Sequence, residues 1–427
     1  MSARVVLICF LLLLAPLRAL ANAAPNVVTD WATIVQGVIH NAAAPRSAGT
    51  SQILHTMVML AVYDAVVAIE GGYEAFGAAI DAAPGADVRA AVATAAYRTA
   101  QARILASQRP LLDAQYAAYL AGIPDGFAKS TGVSVGEAAA AAVLAMREAD
   151  GFFNIVLYEC SSLPAPVGEF VPDAGCPTAP GAPQPVDVKV GQIKSFIAND
   201  SARVRPSGPN ALTSAEYAAD FAEARDYGGM DSTRRSDEQK DIAYFWSENP
   251  YVHWNRNLTA LAVAKNLSIL EAARFFAMVH TAVSEAVIAG FEAKYYYTAW
   301  RPRTAIPLAD LDGNPGTDAN PTWRPLLMVN HPEYPSGHGF WTTALVEAVA
   351  AFFGTNKVEW TITTSKAAVP ALVKTERTYD HLNKLAREVG NARVWGGLHW
   401  RTSINHGEQI GRKIAAEVTR GYFRKIE

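Results

Sequence analysis

"SQILHTMVMLAVYDAVVAI", Ser51 to Ile69, sets how the chain is read. Its apolar residues recur three and four apart with no sustained alternation, which is the period of a helix and not of a strand. The same pattern returns in the alanine-rich stretches "DVRAAVATAAYRTAQARIL", from Asp87, and "SVGEAAAAAVLAMREADGFF", from Ser134. Each has Ser or Asp near its start, where a helix N-cap belongs. Further on, "SAEYAADFAEARDYG" from Ser214, "SDEQKDIAYFWSEN" from Ser236 and the long run from His253 to about Ala299 continue it. The fold class this predicts is all-α, packed as helical bundles.

Outward from these helices the chain divides by composition. Arg4 precedes the apolar run Val5 to Ala15, and Ala21-Asn22-Ala23 offers a small-residue cleavage site, so residues 1–23 read as a signal peptide. The mature chain is then expected to be exported to the periplasm or beyond, soluble, with no further membrane span. Residues 24–157 form an N-terminal helical region, 158–192 a Pro/Gly-rich loop, and 193–427 a C-terminal helical bundle. Cys9 leaves with the leader, and Cys160 and Cys176 flank the stretch "SSLPAPVGEFVPDAG". In an oxidising compartment they are expected to form a disulfide, the alternative being two free thiols. A formal net charge of −3 with 18% charged residues argues against nucleic acid as a partner and leaves small molecules.

Three polar clusters break the last third of the chain. "KYYYTAWRPR" places Lys294 seven residues before Arg301, on one face if the helix continues to Pro302. "HPEYPSGHG", His331 to Gly339, interrupts the helical pattern just before "FWTTALVEAVAAFFG". "ARVWGGLHWRTS" puts Arg393 and His399 on either side of a glycine pair. Each alone is ordinary: a solvated helix face, a helix cap, a turn. Together they supply what a tetrahedral oxyanion needs. Ser336 and the N–H of Gly337 can open a helix whose dipole favours negative charge. Arg301 and Arg393 can clamp oxygens, and Lys294 adds a compact third charge. His338 and His399 remain, one to act as nucleophile or axial ligand and the other as general acid.

The order Lys294-x6-Arg301-Pro302, Pro335-Ser336-Gly337-His338 and Arg393-x5-His399 resembles the vanadium-dependent haloperoxidase and type 2 phosphatidic acid phosphatase superfamily, over residues from about 290 to 415. The resemblance implies vanadate as cofactor, with phosphate as a competing ligand, in a helical bundle. It implies that Lys294, Arg301, Ser336, Gly337 and Arg393 bind the oxygens, that His399 bonds to vanadium, and that His338 is the acid–base residue. The chain is more similar to the haloperoxidases than to the membrane-embedded phosphatases, which implies hydrogen peroxide, halide and an organic acceptor as its small-molecule partners. His331 stands near where family members vary between an aromatic residue and histidine, which leans towards bromide or iodide. One departure stands out: where relatives often carry Asp four residues after the ligand histidine, this chain has Ser403, whose hydroxyl is expected to accept from the imidazole N–H less strongly than a carboxylate would.

Two other readings stay open at this point. One is an exported phosphatase working through a phospho-His399, since vanadate resembles the transition state of phosphoryl transfer. The other is a helical protein that binds phosphate or vanadate without turnover. A calcium loop at "DLDGNP" is disfavoured by Pro315 where glycine is needed, and no G-x-S-x-G or H-E-x-x-H motif occurs.

Overall fold

The computed structural model of the chain describes residues 25–41, 46–177, 179, 181–198 and 200–426; the expected leader, residues 1–23, lies outside them. Five α-helices occupy the first part: α1 (Val27–Ile39), α2 (Ala48–Glu70), α3 (Val88–Arg103), α4 (Arg109–Ala121) and α5 (Phe127–Met146). Eight follow the long loop: α6 (Ala215–Gly228), α7 (Asp237–Phe245), α8 (Pro250–Ala264), α9 (Ile269–Tyr297), α10 (Pro302–Ala305), α11 (Gly337–Phe353), α12 (Leu382–Trp395) and α13 (Arg401–Gly421). The class is all-α. A single antiparallel hairpin departs from it, β1 (Trp360–Thr363) against β2 (Glu376–Tyr379), with Trp360 opposite Tyr379.

Helix starts follow local chemistry. Ser214 caps α6, Ser236 and Gln239 form a capping box on α7, and Ser268 and Glu271 form another on α9. Two starts differ from the sequence pattern. α2 begins before Ser51, behind Ser47, whose hydroxyl accepts from the Thr50 N–H. α5 begins at Phe127, and Ser134 lies inside it, donating to the Ser130 carbonyl 3.1 Å away. A serine can satisfy itself within a helix in this way, so it marks a start only when the preceding residues cannot be helical.

α2 and α9 lie at the centre. Both are apolar all round, as a helix packed on every side must be. Each is long and apolar enough to cross a membrane, yet 89% and 94% of their most apolar windows are buried inside the protein. One hydrophobic cluster runs from Val27 through α2 and α9 to Phe423, so the regions before and after the loop share a core. A smaller cluster, built on Tyr217, Phe221, Trp300 and Trp400, seals the end of α9.

The Pro/Gly-rich loop is strapped onto that end. Phe170 N donates to Thr298 O at 2.7 Å and Trp300 N to Gly168 O at 2.8 Å. Val186 N donates to Asn330 O, just ahead of His331. Cys160 and Cys176 are joined as a disulfide within the loop.

Close helix contacts depend on missing side chains. A Cβ on Gly290 of α9 would fall 2.2 Å from the Phe340 ring of α11, and one on Gly411 of α13 would fall 2.8 Å from the α11 backbone. These positions hold α11 against α9 and α13. We therefore expect Gly290→Ala and Gly411→Ala each to cost about 1–3 kcal/mol of stability through overpacking. Gly37→Ala on the exposed face of α1, where a Cβ meets nothing within 4 Å, should instead stabilise by about 0.5–1 kcal/mol. Urea denaturation of the three variants checks both signs.

Candidate active site

Lys294 sits in the last turn of α9, fully buried, with Nζ donating to the carbonyls of Pro332 and Glu333 at 3.0 Å each. The helix ends at Tyr297 and not at Pro302: Thr298 turns left-handed with φ 45°, so the sequence expectation of one continuous helical face is not met. Arg301 stands in extended backbone as the cap of α10. It nonetheless reaches the same carbonyl as Lys294, with Nη2 donating to Pro332 O at 3.1 Å. Its other donors go to His331 O at 2.5 Å and Leu398 O at 2.6 Å. The turn, not helical periodicity, brings the two cations together.

The stretch His331 to Gly339 supplies the middle of the site. Ser336 is the N-cap of α11, as expected, accepting from Gly339 N at 3.3 Å through its hydroxyl. Gly337 opens the helix, and a Cβ on it would sit 3.9 Å from the Lys294 side chain. Ser336 N donates to Ser403 O at 3.0 Å, which ties this helix start to α13. His331 is half-buried, its Nδ1 accepting from Arg301 Nη2 at 2.9 Å, with Phe291 edge-on at 5.7 Å. Burial first, then Arg301 and Lys294, hold its imidazole neutral.

Arg393 comes from α12, with Nη1 donating to Trp246 O at 3.0 Å and Nε buried without a partner. Its pKa is lowered to about 9 by burial. After it, Gly396 and Gly397 turn the chain. Gly397 has φ 72°, and a Cβ there would collide with Gly228 O at 2.4 Å, so glycine alone fits. The turn delivers His399. A cavity of about 220 Å³ opens onto Gly337, His338, Arg393, His399 and His331, walled by Phe291 and Trp341. Burial, followed by Arg393, keeps His338 well below the usual histidine range; for His399 burial leads, followed by Arg301 and Lys294.

Ser403 does not hydrogen-bond the His399 ring. Its hydroxyl faces the Glu333 carbonyl at 3.5 Å, beyond good hydrogen-bond geometry, because the ring nitrogen already has a partner. That partner is Glu333, whose Oε1 lies 2.7 Å from His399 Nδ1 and accepts from Trp400 N at 3.1 Å. The sequence reading missed this residue. The available signal was an acid between two prolines within the polar stretch already singled out.

Charge explains what the site can hold. Lys294, Arg301 and Arg393 are all at most 3% exposed, and Glu333 is the carboxylate buried among them. Burial and mutual repulsion push Lys294 well below the usual lysine range and Arg301 to about 9. Cations crowded in this way are stabilised by an anion that accepts their unshared donors. The donor set of guanidiniums, an ammonium, a helix N-terminus and a neutral imidazole nitrogen fits a tetrahedral oxyanion such as vanadate or phosphate. The "DLDGNP" stretch is an acidic turn, with Asp312 accepting from Asn314 N and Thr317 Oγ1.

Residues 274–427 match the model of the VCPO second helical-bundle domain. No curated protein sequence matches the chain. Among solved structures the fold is similar to that of a bacterial vanadium-dependent iodoperoxidase, with TM-score 0.77 and 20% identity over 95% of this chain and 98% of that one. It is also similar to a holo-type bacterial vanadium-dependent chloroperoxidase, with TM-score 0.71 and 19% identity over 93% of this chain and 98% of that one. The apo-type chloroperoxidase gives TM-score 0.69 and 19% identity over 88% and 95%. Residues 274–427, which hold every candidate ligand described above, thus match the second helical-bundle domain of that family model, and the whole chain is similar in fold to the bacterial vanadium haloperoxidases.

Proposed function

We propose that the chain is a vanadium-dependent haloperoxidase that oxidises bromide or iodide with hydrogen peroxide. The observation that supports it most is a cavity lined by Arg393, a helix N-terminus and the neutral histidines His338 and His399, with the buried Lys294 and Arg301 clustered behind it. Lys294, Arg301, Ser336, Gly337 and Arg393 would hold the vanadate oxygens, and His399 Nε2 would donate its lone pair to vanadium. When bound, vanadate supplies a Lewis-acidic centre that activates peroxide for oxygen transfer to halide without itself changing oxidation state.

The chain's own residues do the rest. His338 is neutral in its resting form, so it can take a proton from incoming peroxide and return it as water leaves. Lys294, fixed through two backbone carbonyls, would offer a hydrogen-bond donor to the bound oxyanion. Phe291 and Trp341 wall the cavity with apolar surface, which limits water around the halide. His331, pinned by Arg301, lines the same cavity and is the proposed selector of halide. Export of the enzyme rests on the leader and on the Cys160–Cys176 disulfide, which suits an oxidising compartment.

Two outcomes test the reading. Protein loaded with orthovanadate should brominate a phenolic dye with hydrogen peroxide, His399→Ala should abolish this, and phosphate should compete. Phosphomonoester hydrolysis inhibited by vanadate, with no bromination, would overturn it. Arg393→Ala should weaken vanadate binding about 10- to 100-fold, the size of a lost hydrogen bond to a charged group, measured by equilibrium dialysis.

A further inference from the structure

Glu333 carries a role no motif assigns. The ligand histidine of an oxyanion site must present one nitrogen unprotonated to the bound centre, and which nitrogen that is depends on what the other one meets. In this chain the position four residues after His399 is a serine that faces a backbone carbonyl instead of the ring. The carboxylate arrives from 66 residues earlier in the chain, on the segment that also supplies Ser336, Gly337 and His338.

The geometry is specific. Two contacts from consecutive residues converge on Glu333 Oε1: it accepts from the Trp400 main-chain N–H at 3.1 Å and lies 2.7 Å from the His399 ring Nδ1. The main-chain donor is fixed, so it locates the carboxylate oxygen, and the oxygen then locates the ring. Glu333 is wholly buried, and its own backbone carbonyl accepts from Lys294. One residue thereby couples the cation at the end of α9 to the histidine ahead of α13.

We propose that Glu333 is the positioning residue for His399, holding the proton on Nδ1 so that Nε2 faces the anion cavity as a lone-pair donor. This rests on the reading of the site as one for vanadate. It replaces the acid that relatives often carry four residues after the histidine, and it explains how the serine at that position is tolerated.

A competing role would be charge balance alone, and the two predict opposite signs. If Glu333 only offsets the three cations, removing it makes the cavity more positive and tightens any oxyanion. If it positions His399, removing it weakens the ligand that bonds to the imidazole, vanadate, and spares the one held by charge and hydrogen bonds alone, phosphate. The measurement is the dissociation constant of orthovanadate and of inorganic phosphate for the full-length chain, Glu333→Ala and Glu333→Gln.

Glu333→Ala should lose vanadate affinity by about 10- to 100-fold, the usual effect of losing an outer partner of a ligating histidine, with phosphate affinity unchanged or higher. Glu333→Gln should fall less, because the Trp400 N–H keeps an amide oxygen in place to accept from Nδ1. Equal or tighter vanadate binding in both variants would overturn the proposal in favour of charge balance.

A second readout needs no variant at Glu333 to fold. In ¹⁵N spectra of histidine-labelled protein without vanadate, the His399 ring, identified as the signal missing from His399→Ala, should carry its proton on Nδ1. A proton on Nε2 would overturn the inference on its own. If the unsubstituted chain binds phosphate but not vanadate, the reading of function fails, while the tautomer measurement still decides the role of Glu333.

Discussion

Three cations buried in one cluster, of which Arg393 lines the cavity, form the constraint on which the rest of the structure depends. Lys294, Arg301 and Arg393 are removed from water, and the buried carboxylate of Glu333 stands among them. Left so, they repel one another and pay for desolvation, which is why burial drives the pKa of both arginines down to about 9. The chain meets this with backbone carbonyls: those of His331, Glu333, Leu398 and Trp246 each accept from one of the cations, and that of Pro332 accepts from both Lys294 and Arg301. Neutral acceptors orient the donors without cancelling their charge. The cavity keeps its preference for an anion, and the cations keep fixed directions.

The scaffold can be understood as the means of holding those carbonyls still. Four of the five belong to two non-helical segments, one ahead of α11 and one ahead of α13, which only tight helix packing can hold in register. Gly290, Gly339, Gly407 and Gly411 let α9, α11 and α13 approach to backbone distance. The Pro/Gly-rich loop lies across the end of α9 and hydrogen-bonds on both sides of Ala299. Helices far from the chemistry contribute by burying α2 and α9, whose all-round apolar surfaces would otherwise be exposed.

Neutrality of the histidines follows from the same charge. Positive neighbours and burial both disfavour a protonated ring, so His338 and His399 rest as bases. For a residue that must donate a lone pair and for one that must accept a proton, this is the useful state. Glu333 fits the pattern from the other side: burial raises its pKa to about 7, while Arg301 and Lys294 pull against that rise. It stands among the cations with Oε1 against the His399 ring.

The helical class and the candidate site residues were legible in the sequence because both rest on local patterns. A three-to-four period reports burial along one helix, and the polar clusters stand out in the sequence because each interrupts that period at a helix end or helix start. The helix ends were less legible: the chain leaves α9 at Thr298, and Ser134 bonds within α5 instead of opening it. Ser403 was read by its distance from His399 along the chain, and that spacing could not reveal that Glu333 occupies the ring nitrogen. The sequence by itself determined the helices, the three cations, the serine cap and the two histidines. Only the tertiary structure decided which carbonyls aim the cations and which carboxylate aims His399, because those hydrogen bonds join residues tens to more than a hundred positions apart, and no local pattern encodes them.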